Sequence, residues 1–164
     1  MTTLPPRENI LVSIEEPFDA DLTEEWVREW INRALDAEGL ARNAGVDVLV
    51  TDNDTVRELN RDYLGIDEPT DVLSFPQAEE YSGSVPDAPA WVSPPDDILH
   101  LGEIIVAYPY AVNQAEEQKH PVDWEIAHLL VHGVLHLLGY DHLEPDDEYE
   151  MRTREHAILG VHHD

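Results

Sequence analysis

The stretch VDWEIAHLLVHGVLHLLGYDH (122–142) decides how this chain folds. Nearly every turn of it carries Trp, Ile, Leu, Val or Ala on all sides, and a helix of that kind belongs inside a core. Pro121 is well placed to open it, and Gly139 to end it as the left-handed residue after the C-terminal cap. The same helix carries His128, His132 and His136. Residues four apart share a face, with Cβ atoms about 5–6 Å apart, so imidazoles from successive turns can converge on one ion. His142 lies just past the Gly139 turn, where the reversing chain can bring it back over that face. A lone histidine on an apolar face is more often a packed, hydrogen-bonded core residue. Three at ligand spacing, with glycine at the turn, reverse that balance, and His132, His136 and His142 are the expected metal ligands. Three such ligands leave a fourth position open, as in a catalytic zinc site. His128, one turn earlier, could support a ligand, face a substrate or merely pack.

The pattern His132-x-x-x-His136-x-x-Gly139-x-x-His142 has the spacing of the metzincin metalloproteases. One departure is informative. Where a zincin places its glutamate base directly after the first histidine, this chain has Gly133, which can do no proton chemistry. The nearest carboxylate is Asp141, whose default role is to orient a ligand histidine. Met151 falls inside a predicted helix, so no convincing Met-turn follows. A metal without the protease base points to another reaction.

Working outward, Asn9–Glu15 reads as a strand, with Ile10, Val12 and Ile14 alternating. Asp21 and Glu24 resemble a capping box, opening a helix whose face would carry Leu22, Trp26, Trp30, Ile31, Ala34 and Leu35. Val46–Val50 is a second strand. Asn53 or Asp54 can cap a short helix through Tyr63, with Val56, Leu59 and Tyr63 as its inner stripe. Asp71–Phe75 is extended, and Leu101–Ala107 reads as a central strand. Tyr108–Gln118 and Pro145–Ile158 are helical. Residues 77–98, with four prolines among acidic and small residues, read as a long surface loop. Strands interspersed with helices predict a single α+β or α/β domain over residues 1–164: a small sheet of about four strands with helices packed on it.

Composition narrows the partners. The chain has 164 residues, enough for one domain with one core, and 42% are apolar. It has no cysteine, so any metal must be held by His, Asp or Glu. No run of 18 apolar residues and no signal segment is visible, which predicts a cytoplasmic protein without membrane contact. Asp and Glu total 36 against 9 Lys and Arg, a net charge of -27, and the one lysine is Lys119. Such a lysine-poor acidic surface resembles a halophile's cytosolic protein. At ordinary salt it argues against nucleic acid, which draws on Lys and Arg clusters.

HGVLHLLGYDH (132–142) nevertheless resembles the signature of the YbeY family of bacterial ribosomal RNA maturation endoribonucleases. ELNRDYLGIDEPTDVLSFP (58–76) is similar to that family's second motif, and LGEIIV (101–106) to its LGDIVI strand. The likeness runs from about Val46 to Leu159. It implies a small mixed sheet with helices on it and one Zn2+ held by the three histidines. It also implies hydrolysis of single-stranded RNA, maturation of the 3′ end of small-subunit ribosomal RNA and ribosome quality control, with no DNA substrate. The PTDVLSF segment would lie beside the metal cleft, where the Thr70 and Ser74 hydroxyls could donate to phosphate oxygens. Several members carry arginine where this chain has Leu64, and Arg57 and Arg61 are the nearest candidates to replace it. Two rival readings are a ribosome-assembly module with structural zinc and a metzincin-like protease.

Overall fold

The computed structural model describes residues 9–40, 42–76, 99–140 and 145–160. In chain order they form β1 (Ile10–Ile14), α1 (Glu24–Ala37), β2 (Ala44–Thr51), α2 (Asn53–Leu64), β3 (Val72–Pro76), β4 (Leu99–Ala107), α3 (Tyr108–Gln118), α4 (Val122–Leu137) and α5 (Pro145–Leu159). The sheet order is β1-β2-β4-β3, with β1, β2 and β4 parallel and β3 antiparallel to β4. This is the expected α+β architecture with a mixed four-stranded sheet. The loop expected over 77–98 lies outside the described residues.

Both central strands start two residues earlier than their alternation predicts. The reason is mutual pairing: Ala44 opposes Leu99 and Gly45 opposes His100, ahead of a register shift between Gly45 and Val46. Helix starts also differ. Thr23, not Asp21, caps α1 by accepting from the Trp26 amide at 3.1 Å. Asp52 caps α2 by accepting from the Thr55 amide at 2.7 Å. Asn53 is spent elsewhere, its Oδ1 accepting from the Tyr110 amide at the head of α3. On α1 the inner stripe is Val27, Ile31, Ala34 and Leu35, while Trp26 and Trp30 lie half-buried at the rim, edge to face.

Each face of the sheet has its own apolar cluster. One joins Ile10, Val46, Val48, Ile104 and Val106 to the inner residues of α1 and α4. The other joins Leu73, Ile105 and Ala107 to Val56 of α2. On α2, Asn60 is buried and Tyr63 is 70% exposed, the reverse of a purely apolar inner stripe. Asn60 Nδ2 donates to the Glu68 carbonyl at 2.9 Å and so fixes the turn leading into β3. Tyr63 meets Phe75 edge-on.

Helix α4 lies closer to the sheet than most side chains would permit. A Cβ on Gly133 would come within 2.9–3.1 Å of the Ile104 side chain on β4. Gly102, at φ +144°, is tighter still: a Cβ there would meet the Phe75 carbonyl oxygen at 2.3 Å and Leu137 Cδ2 at 2.8 Å. The LGE turn of phrase in the sequence is therefore a packing requirement, where β3, β4 and α4 meet.

Candidate metal centre

The buried side of α4 is fixed by Ile126, Leu130, Val134 and Leu137, which leaves a stripe of rings along its other side. His120, Trp124, His128, His132 and His136 follow at every fourth residue. Their successive ring centroids lie 4.3, 5.2, 6.1 and 4.5 Å apart. His132 and His136 are both half-buried, with ring planes at 80°. Gly139 has φ +101° and ends the helix as expected, one residue past the Leu138 cap. The structure thus brings two of the three expected ligands together. His142 and Asp141 lie outside the described residues.

A residue that periodicity alone passes over completes the picture. The inward stripe of α5 is Met151, Glu155, Ile158 and Leu159, so Glu155 occupies a position that a leucine would ordinarily fill. It is 6% exposed. Glu155 Oε2 lies 2.5 Å from His132 Nδ1, and Oε1 lies 3.0 Å from His128 Nε2. Burial pushes this carboxyl's pKa up, but the hydrogen bonds from His128 and His132 outweigh it and hold the value at about 2. For His128 burial opposes protonation, and the Glu155 hydrogen bond and charge carry the net shift upward. One ligand atom from each of His128, His132 and Glu155 lies within 4.8 Å of the others, a set that could hold a metal ion. The available signal in the sequence was a glutamate on the apolar stripe of an otherwise exposed helix.

The second motif stands against the same helix. Ser74 Oγ donates to the Gly133 carbonyl at 3.5 Å, joining β3 to the turn of α4 that bears His132. Thr70 Oγ1 donates to Asp71 Oδ1 at 3.3 Å, and that oxygen also accepts from the Val72 amide. Asp71 Oδ2 accepts from Gln114 Nε2 at 3.0 Å, which donates as well to the buried Glu125 Oε2 at 2.6 Å. PTDVLSF is therefore tied to α3 and α4 by a Asp71–Gln114–Glu125 chain. A cleft of about 330 Å³ lined by Asp71, Gln114, Trp124, Glu125, His128 and His132 opens here. On the α5 side of the same histidines lies another of about 290 Å³, lined in part by Met151, Arg152 and Glu155. A larger hollow of about 690 Å³ lies beyond the Gly139 turn, among Glu38, Tyr140, Asp147 and Glu150. Its acidic wall suits no phosphate, so the clefts at His132 are the better site.

Arg57 and Arg61 are not gathered into this cluster by any direct bond. Arg57 is forked onto Asp67 at 2.8 and 3.3 Å, and Arg61 pairs with its neighbour Asp62 at 3.2 Å.

Residues 11–162 match the Endoribonuclease YbeY family. The chain belongs to that family. An endoribonuclease YbeY from Dehalococcoides mccartyi is 40% identical over 154 residues, covering 94% of this chain and 88% of the relative. One from Moorella thermoacetica is 48% identical over 134 residues, covering 79% and 83% respectively. The solution structure of a Thermotoga maritima protein superposes with a TM-score of 0.55 at 25% identity, covering 92% of this chain and 89% of that one. For a YbeY chain the departure at Gly133 has a plain structural cause. The position that bears the base in a zincin is here pressed against Ile104, with no room for a side chain. Met151 is buried within α5 rather than in a turn.

Proposed function

We propose that this chain is a zinc-dependent endoribonuclease that cuts single-stranded RNA. Its role would be maturation of ribosomal RNA, notably the small-subunit 3′ end, and ribosome quality control, in contact with the small subunit. The observation that carries the reading is the pair His132 and His136, 4.5 Å apart at the end of a buried helix in a chain matched to endoribonucleases over residues 11–162. His132, His136 and His142 would hold one Zn2+ per chain, and an all-imidazole set suits that ion. Bound there, zinc supplies Lewis acidity at a phosphate oxygen and eases deprotonation of the attacking group.

The chain's own groups then bind and orient. Ser74 reaches the backbone beside His132, and Thr70 stands on the same strand entry, so both hydroxyls can turn to phosphate oxygens at modest cost. Asp141 would orient His142. Arg57 and Arg61 remain the nearest cations on α2, and using Arg57 on RNA requires breaking its fork to Asp67. The double variant Arg57→Ala/Arg61→Ala should weaken RNA affinity, and unchanged affinity removes both from the site. The acidic surface suits the cytosol of a halophilic bacterium, where charges are screened within about 3 Å at molar salt. Among the described residues no helix is long and apolar enough to cross a membrane.

The test is zinc content measured beside cleavage of a ribosomal RNA precursor, wild type against His132→Ala. The variant should lose the ion and cut at least a hundredfold more slowly while staying folded. A folded variant that still cuts at the wild-type rate would sink the reading. Product ends decide the route: a 2′,3′-cyclic phosphate means attack by the RNA 2′-hydroxyl, a 5′-phosphate means attack by water.

A further inference from the structure

Glu155 has no part in the ligand set just proposed, yet it is a buried carboxylate in hydrogen-bond contact with both His128 and His132. A buried carboxylate costs several kcal/mol unless it is paired and hydrogen-bonded. Here both oxygens are satisfied, each by a different imidazole of α4.

The separations say what kind of contact this is. Two ligand atoms held at about 2.0–2.2 Å by one tetrahedral ion stand about 3.3–3.6 Å apart. Glu155 Oε2 and His132 Nδ1 are 2.5 Å apart, and Oε1 and His128 Nε2 are 3.0 Å apart. With no ion between them, these are the separations of hydrogen bonds. His132 therefore presents Nδ1 to the carboxylate, and His128 presents Nε2. With Nδ1 of His132 turned to Glu155, Nε2 is the ring nitrogen that faces away from that carboxylate.

We propose that Glu155 is a positioning residue for the metal centre, fixing the tautomer and orientation of His132 so that Nε2 faces the ion. His128 is then the second anchor of that carboxylate rather than a ligand. Trp124 holds His128 in turn, its ring stacked at 5.2 Å and 24°. The clamp is itself braced. Arg154, the residue before Glu155, binds Glu38 through Nε and Nη2 at 2.9 and 2.5 Å, and Tyr140 donates to the same carboxylate at 2.8 Å. Those bonds tie α5 to the end of α1 and to the turn after α4. The inference rests on the zinc reading above and adds what orients its first ligand.

The experiment measures zinc affinity by competition with a chromophoric chelator for wild type, Glu155→Leu, His128→Ala and His136→Ala, together with the melting midpoint of each metal-free protein. Glu155→Leu should bind zinc about 10–100-fold more weakly, still one ion per chain. Its metal-free form should melt no lower than wild type, because leucine suits that stripe and removes a buried charge. A purely structural role would lower the melting midpoint and leave zinc affinity alone; that result overturns the proposal. So does His128→Ala losing the ion as completely as His136→Ala, which would make His128 and Glu155 ligands. If His136→Ala keeps its zinc, the ligand reading fails, whatever Glu155 does. Should Glu155→Leu not fold, side-chain nitrogen NMR of the zinc-loaded wild type decides. Nε2 coordination with a protonated Nδ1 at His132 is expected, and coordination through Nδ1 overturns the proposal.

Discussion

At the scale of single residues, Gly133 is tightly constrained beside the turn that bears His132. Adding one methyl there forces it against the Ile104 side chain at 2.9–3.1 Å. Overpacking of that kind costs about 1–3 kcal/mol, so Gly133→Ala should lower the denaturant midpoint, with the slope unchanged. A midpoint equal to wild type would mean that α4 can lift from β4 without penalty. The histidine spacing was legible because ligand chemistry depends on local repeat, and four-residue spacing fixes a shared face. The reason for Gly133 was not legible, since the atom it avoids belongs to a strand about thirty residues earlier. Glu155 was hidden in the same way: its two partners lie on another helix, and only packing brings the carboxylate onto them.

At the scale of elements, helix starts were misplaced by one or two residues where several polar side chains compete. Asp52, Asn53 and Asp54 all suit a cap. The structure gives the role to Asp52 because Asn53 is drawn to the Tyr110 amide on α3. Asp52→Ala should cost about 0.5–2 kcal/mol, with the exposed site favouring the low end, and Asp52→Asn most of it should be spared. The hydrogen bond from the Thr55 amide holds the Asp52 carboxyl below its ordinary 3.8. Its folded pKa is depressed, so its contribution is present above about pH 4 and is lost as pH falls through the folded value. Stability of wild type and Asp52→Asn should therefore converge in acid, and parallel pH profiles would rule out a charged cap. The extent of β2 and β4 also exceeded what alternation shows, because the pairing of Ala44 with Leu99 supplies the extra length.

At the scale of the whole molecule, 36 acidic residues face 9 basic ones. Arg28, Arg42, Arg57, Arg61, Arg152 and Arg154 each lie 3.9 Å or less from a carboxylate, so the cations largely serve the protein itself. The remaining negative charge repels itself, and salt relieves that by shortening the Debye length from about 10 Å at 0.1 M to about 3 Å at 1 M. The melting midpoint should climb with KCl across that range, by about 2–4 °C for each kcal/mol relieved. A flat response would show that the charges are already neutralised by local pairing. Fold class was legible because apolar period survives any surface charge; the charge itself says nothing of where substrate sits. The order of the parts along the chain has one more consequence. The four strands among the described residues precede His128, and the proposed ligands and Glu155 all lie between His128 and Glu155. A ribosome making this protein therefore makes those four strands before any of the proposed ligands, and a chain cut short before Glu155 carries the scaffold without the carboxylate proposed to position His132.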